Sequence, residues 1–223
     1  MVNFFHELDK IFGDIRSLPK SLWFNFHYLN FFNAIRLPIL ISHRVKLRNL
    51  GGSIHINRVK TGTIRIGFGG MGQHCGVVDS VFSMKKGVIQ FEGKVRIGCA
   101  ANIFIHDGTL TIGDNFDASR NLLIMCQNKI HIKHDVLISW NVSIMDHDGH
   151  DIQQHGESIN PPRAIEIGSQ VWIGCNSTIL KGAQLAEQSV VGAHAIVTGS
   201  FPAHALIAGQ PARLVKQDIS WQQ

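Results

Sequence analysis

Ile165-Glu-Ile-Gly-Ser-Gln-Val-Trp-Ile-Gly-Cys-Asn-Ser-Thr-Ile-Leu-Lys-Gly-Ala-Gln-Leu-Ala-Glu-Gln-Ser-Val-Val-Gly-Ala-His-Ala-Ile-Val197 is the stretch that decides the fold. Within and just beyond it, Ile167, Ile173, Ile179, Leu185, Val191, Val197 and Ala203 recur at a constant step of six. In a chain that is 44% apolar, seven such residues in register have a chance of roughly 0.02 over six phases, so the step is a signal. It returns upstream in Ile112, Ala118 and Ile124, and in Ile132, Ile138 and Ile144. Several of these aliphatics are followed at once by glycine, as in Ile97-Gly98, Ile112-Gly113 and Ile173-Gly174.

A step of six fits neither the helical period of 3.6 nor the alternation of a plain hairpin sheet. It fits a backbone that turns a corner every six residues, with one aliphatic per bend pointing inward and a small or polar neighbour tolerating the turn. Three such faces make a coil of about 18 residues, and stacked coils pair strand on strand around a dry interior. This is the hexapeptide-repeat pattern, and it resembles the left-handed parallel β-helix of that family. The hand is what the resemblance implies; a step of six does not show it, and the general crossover rule favours the opposite hand. The fold class expected is therefore all-β, a left-handed parallel β-helix with a short helical N-terminal segment.

The repeat breaks between Ile144 and Ile167, where Asp146-His147-Asp148-Gly149-His150 and a polar run ending Asn160-Pro161-Pro162 intervene. A loop over 145–164 is thus expected to leave the coil, and extruded loops on rigid scaffolds commonly carry function. Residues 1–52 read as an N-terminal helical and aromatic segment, 53–208 as the solenoid, and 209–223 as a tail. Phe4, Phe5, Leu8, Ile11, Phe12 and Ile15 have the spacing of an apolar helix stripe, and nine of the chain's 18 aromatics lie within residues 1–40. Two readings of that segment stay open: a cap over the solenoid's end, or an interfacial anchor giving peripheral membrane contact near a lipid-linked substrate.

Composition narrows the function classes. The 223 residues suit one domain of moderate size, and charged residues are only 17%, which argues against a disordered chain. The net charge of +5 is spread without a run of like charges, so nucleic acid is not expected as a partner. No uncharged apolar run reaches the ~18 residues of a membrane span, and no signal-peptide stretch follows Glu7 and Asp9. Cys75, Cys99, Cys126 and Cys175 form no CxxC pair and are expected as reduced thiols of a cytoplasmic protein, one able to work at the inner membrane face.

Among thirteen histidines, His147 stands where the repeat breaks, beside Asp146 and Asp148. An imidazole suits proton removal from a hydroxyl or amine at neutral pH. The segment Ile138-Ser-Trp-Asn-Val-Ser-Ile-Met-Asp-His147-Asp-Gly-His150 resembles the stretch bearing the catalytic histidine in sugar O-acetyltransferases, the galactoside and maltose acetyltransferase branch of the hexapeptide family. The resemblance implies that His147 is the general base and that Asn121 helps hold the acceptor sugar; Asp146, placed to orient the ring, and His150 are expected with it on the substrate side. Val171-Trp172-Ile-Gly-Cys175, Val191-Gly-Ala193-His-Ala-Ile-Val-Thr198-Gly199 and Gly209-Gln-Pro-Ala-Arg213-Leu-Val-Lys216 resemble the family's acetyl-CoA-binding coils. It implies that Trp172, Cys175, Ala193, Thr198, Gly199, Arg213 and Lys216 line the pantetheine arm or meet the nucleotide phosphates.

Residues 95–216 carry this resemblance. Cys175 departs from the small polar residue usual at its corner, and Gly199 stands where lysine often follows the threonine. Residues 1–60 look more like the arms of acetyltransferases that decorate capsular or lipopolysaccharide sugars. The function implied is transfer of acetyl from acetyl-CoA to a hydroxyl of a surface-polysaccharide precursor, by a homotrimer with sites between subunits. N-acetylation of an amino sugar and a non-catalytic binding scaffold are the alternatives. Gly67-Phe-Gly69-Gly-Met-Gly72 matches GxGxxG but opens no helix, so it reads as a coil corner. His131, His134, Asp135, His147 and His150 offer no selectable set of three or four ligands, and no metal is expected.

Overall fold

The computed structural model describes residues 15–69 and 78–222. The stripe from Phe4 to Phe12, Cys75 and the later glycines of the GxGxxG match lie outside them. Three sheets of nine, seven and seven strands, parallel except for the last strand of the first, wrap one core. The first wall runs from Ile39–Ile41 to Leu206–Gly209, the second from Val45–Leu50 to Ile196–Val197, and the third from Ser53–Ile56 to Ser200–Phe201. Successive strands along the chain fall on successive walls, so the backbone winds as a three-sided parallel β-helix.

The expected inward series is realised: Ile112, Ala118, Ile124, Ile132, Ile138, Ile144, Ile173, Ile179, Val191 and Val197 are all 0% exposed. Ile173 stacks on Val191, Ile179 on Val197 and Ile167 on Leu185, each 18 positions on. A second buried series accompanies the first, two positions earlier in each hexad: Val171, Ser177, Ala183, Ser189 and Ala195. Their small size lets the walls close at the bend. The two serines stay inside because their hydroxyls donate to Gly192 O and Ala186 O.

Ala203 does not belong to the wall as expected. The last coil is two residues shorter, so Phe201 stacks on Leu185 and Ile207 on Val191, and Ala205 takes the buried corner place. Upstream coils are longer than 18, with Ile112 paired to Ile132 and Ile97 to Ala118. Corners carry non-glycine residues at positive φ, among them Asn121 (58°), Asn141 (56°), Asn176 (59°) and His194 (60°). Short polar side chains tolerate that conformation, and these four are joined edge to edge by side-chain hydrogen bonds.

The boundaries also differ from expectation. Within residues 1–52, strands Ile39–Ile41 and Val45–Leu50 already belong to the first coil, and Ala212–Lys216 of the expected tail pairs antiparallel with Leu206–Gly209. Cys126 and Cys175 are free thiols, whereas Cys99 is disulfide-bonded, which corrects the expectation of four reduced cysteines.

Helix α1 (Leu18–Tyr28) and the short α2 (Phe31–Ala34) cap the open end. An exposed strand edge is a row of unpaired backbone groups, and α1 covers it with polar side chains. Ser21 Oγ accepts from Ile41 N–H at 2.9 Å, and Asn25 both accepts from Ile39 N–H and donates to Ile39 O. Ser17 accepts from His43 N–H, and Lys20 Nζ donates to His43 O and Val45 O. Phe24, fully buried, meets Phe82 edge-on at 5.3 Å and closes the core beneath them.

Candidate active site

The loop between Ser143–Met145 and Ile165–Ile167 leaves from the corner where the second wall passes to the third. Its root is Asp146. The side chain is 0% exposed, with Oδ1 accepting from Gln127 N–H and Oδ2 from Asn128 N–H, both at 2.8 Å. The carboxylate is thus a corner clasp inside the protein, not an exposed loop group. Burial, reinforced by the neighbouring Asp146 charge, pushes the Cys126 thiol far above its ordinary range. An inert thiol beside the loop follows.

Beyond the clasp, His147, Asp148, Gly149 and His150 line an open cleft of about 210 Å³, closed on its other side by Gln127, Ser158, Asn160, Pro161 and Pro162. Lys181 and Asn160 hold this loop to the coil. Lys181 Nζ donates to Asp148 Oδ2 at 2.5 Å and to Asn160 O at 2.8 Å, while Asn160 Nδ2 donates to Asp148 Oδ2 and His150 O. The Lys181 and Asn160 hydrogen bonds keep the Asp148 carboxyl below its usual range. Met145 pairs with Leu180, so Lys181 stands one rung above Asp146. Neither Lys181 nor Asn160 is marked by the repeat; the signal that finds Lys181 is this register.

His147 is half-buried, and its Nδ1 accepts from Gly149 N–H at 3.0 Å. A neutral ring held this way carries its proton on Nε2. To present a free lone pair, the ring must turn from Gly149. Catalytic hydrogen bonds commonly tighten only when substrate is bound.

The other expected site residues divide between places. Thr198 and Gly199 lie at the same wall-two to wall-three corner as His147, on a later coil. Asn121, Cys175 and Ala193 lie at the preceding corner, where Asn121 donates to Asn141 as part of the corner ladder. Trp172 projects from the first wall, 38% exposed, with its indole N–H on Ser139 Oγ and its ring 6.0 Å from Trp221. Arg213 and Lys216 are exposed on the strand that ends this wall. An apolar ring, small corner residues and two cations along one wall suit a pantetheine arm and phosphates. Trp221, whose indole N–H donates to Gln170 O, was not legible from the repeat. Among the described residues no cluster of three metal-ligating side chains occurs; His131 instead pairs with Glu166 at 2.8 Å and His134 with Asp135 at 2.7 Å.

These features define a hexapeptide-repeat β-helix protein with a histidine-bearing loop at one corner. The chain is similar to galactoside O-acetyltransferase of Escherichia coli K12, 36% identical over 117 residues covering 51% of this chain and 57% of the relative. It is similar too to the putative lipopolysaccharide biosynthesis O-acetyl transferase WbbJ of the same organism, 32% identical over 121 residues, 49% of this chain and 61% of the relative. The match thus spans about three fifths of these relatives' length. In structure it resembles the polySia specific acetyltransferase NeuO, with TM-score 0.63, 21% identity, and coverage of 82% of this chain and 90% of that one. The likeness shows the fold, a left-handed parallel β-helix. No family model matches the chain.

Proposed function

We propose that the protein is an acetyltransferase that moves the acetyl group of acetyl-CoA to a hydroxyl of a saccharide, a surface-polysaccharide precursor, with His147 as general base. The observation that carries the reading is His147 at the mouth of a cleft whose root is clasped by Asp146 and whose rim is tied by Lys181. A scaffold would need no such loop. Similarity to a galactoside and to a putative lipopolysaccharide O-acetyltransferase supports acetyl transfer and the acceptor class.

Acetyl-CoA supplies an activated acyl group. This chain's residues then do the rest. Trp172, Cys175 and Ala193 flank the pantetheine arm, and Arg213 and Lys216 meet the phosphates. With its ring turned from Gly149, His147 takes the proton as the acceptor oxygen bonds to the acyl carbon, and returns it to the departing sulfur. Such a base is worth roughly 10²–10⁴ in rate; alignment of the two substrates supplies much of the remainder. The split between two corners supports a homotrimer. One copy's His147 corner set against a neighbour's Asn121, Cys175 and Ala193 corner makes a site that neither completes alone.

Incubating the protein with acetyl-CoA and a panel of glycans, nucleotide sugars and amino sugars, with detection of the freed thiol, tests the reading. Thiol release dependent on a hydroxylated sugar supports it. Release only with amino sugars reassigns the acceptor atom, and none with any acceptor overturns the enzyme reading.

A further inference from the structure

The cap carries apolar side chains on both its faces. A helix packed on a core ordinarily turns its apolar stripe inward, but α1 turns only Phe24 fully inward, spends Ser21 and Asn25, with Ser17 just before it, on the strand edge, and turns Leu22 (42% exposed), Trp23 (52%) and Phe26 (45%) outward. Phe31 (63%), Phe32 (75%) and Ile35 (52%) of the α2 turn continue the same surface. Phe26, Phe31 and Phe32 form a chain of rings with centroids 5.9 Å apart at each step. Six of the fourteen large apolar side chains exposed among the described residues fall in this one segment. Scattered exposed apolar residues need no explanation, whereas a contiguous aromatic patch does.

Charge identifies the occupant. Residues 15–78 contain nine Lys and Arg and no Asp or Glu, whereas residues 79–223 contain eleven basic and thirteen acidic residues. Lys46 and Arg58 are matched by Asp79 and Asp114 from later coils. Among the described residues no acidic side chain is placed against Arg36, Arg48 or Lys60, which are exposed near the cap. Arg36 O accepts from the Thr61 hydroxyl, which brings Lys60 beside it. No helix among the described residues is long and apolar enough to cross a membrane. An exposed aromatic face beside the exposed cations Arg36 and Lys60 combines the two signals that stable binding to an anionic bilayer surface requires.

We infer that the outer face of α1 and α2 docks the solenoid end-on to an anionic lipid surface, Trp23, Phe26, Phe31 and Phe32 entering the headgroup layer and Arg36 and Lys60 meeting lipid phosphates. The inference stands apart from the acetyl-transfer reading, because vesicle binding needs no turnover. The test is sedimentation of the full chain with vesicles of phosphatidylethanolamine and phosphatidylglycerol, and with phosphatidylcholine alone, alongside the triple variant Trp23→Ser/Phe31→Ser/Phe32→Ser and the double variant Arg36→Glu/Lys60→Glu. The expected result is binding to the phosphatidylglycerol vesicles that weakens about tenfold or more in each variant and falls with added salt, with thermal unfolding unchanged. Failure of the parent chain to sediment with those vesicles overturns the inference, as does a triple variant that binds as the parent does. A triple variant that dissociates into smaller species in analytical ultracentrifugation also overturns it and assigns the face to contact between copies.

Discussion

Replacing Asp146 with asparagine probes how the extruded loop is rooted. Each carboxylate oxygen of this fully buried side chain accepts one backbone N–H, from Gln127 and Asn128. The backbone on either side of the loop is anchored there too, Asp146 N–H on Met125 O and Arg163 N–H on Asp146 O. Asparagine keeps one acceptor and aims an NH₂ at the other N–H. One charge-assisted hydrogen bond, worth about 1.5–3 kcal/mol, is lost and a donor is left facing a donor, at a further ~1–3 kcal/mol. Some relaxation will return part of this, so a net cost of about 3 kcal/mol is expected, equivalent to a fall of roughly 6–12 °C in Tm for a chain of this size. Alanine removes both acceptors but opens a gap that water can enter, so it should be no worse than asparagine. That ordering separates a clasp from a packing role, in which the isosteric asparagine would be mild. Thermal and urea unfolding read the difference, and loss of acetyl transfer should accompany it, because His147 is the next residue. An asparagine variant that melts with the parent would refute the reasoning.

Further outcomes follow from the geometry. His147→Ala should lower acetyl transfer by about 10²–10⁴ with unfolding unchanged; full activity in that variant removes the proposed base. The two-residue shortening of the last coil is tested by urea midpoints: Ile207→Ala should cost about 2–5 kcal/mol, while Ala203→Ser should stay within ~0.5 kcal/mol, and the reverse order would restore the constant step of six. Asn141→Val places a branched side chain at φ 56° and breaks the ladder, so it should cost about 2 kcal/mol, more than Asn141→Gly; equal Tm values would deny the corner a conformational role. The carboxyl of Asp148 lies below its ordinary value because Lys181 and Asn160 donate to it. Its contribution is therefore complete above the usual aspartate range near ~4 and lost as pH falls through the lowered value. Solvent limits this pair to less than ~1 kcal/mol. Pepsin cleavage within 147–163 should accordingly stay slow at pH 4 and quicken at pH 2. Lys181→Met should speed loop cleavage at pH 7 by up to about fivefold; no change would show that the clamp holds nothing.

How much of this was legible depended on the range of the interaction. The step of six located the buried aliphatics from Ile112 to Val197, and its interruption located the loop, since a repeating backbone must repeat its burial. The companion series Val171, Ser177, Ala183, Ser189 and Ala195 escaped notice because serine and alanine carry little hydrophobic signal. The shortened last coil was missed because the step continues into Ala203 by composition alone. Asp146 looked like a loop carboxylate because sequence says nothing about the two amides of Gln127 and Asn128 that fold back over it.

The chain alone determined the winding: an aliphatic every six residues has one economical solution, a corner at each repeat with apolar side chains stacked inside. Only the tertiary structure decided which corner each polar residue occupies. That depends on coil length, which runs from 25 residues between Ile39 and Ile64 through 21 between Ile97 and Ala118 to 16 between Val191 and Ile207, and an offset of two moves a side chain to another place on the prism. For the same reason it alone separated His147 from Asn121, tied Lys181 to the loop, and turned the apolar face of the capping helix outward, where burial and charge are set by neighbours distant in sequence.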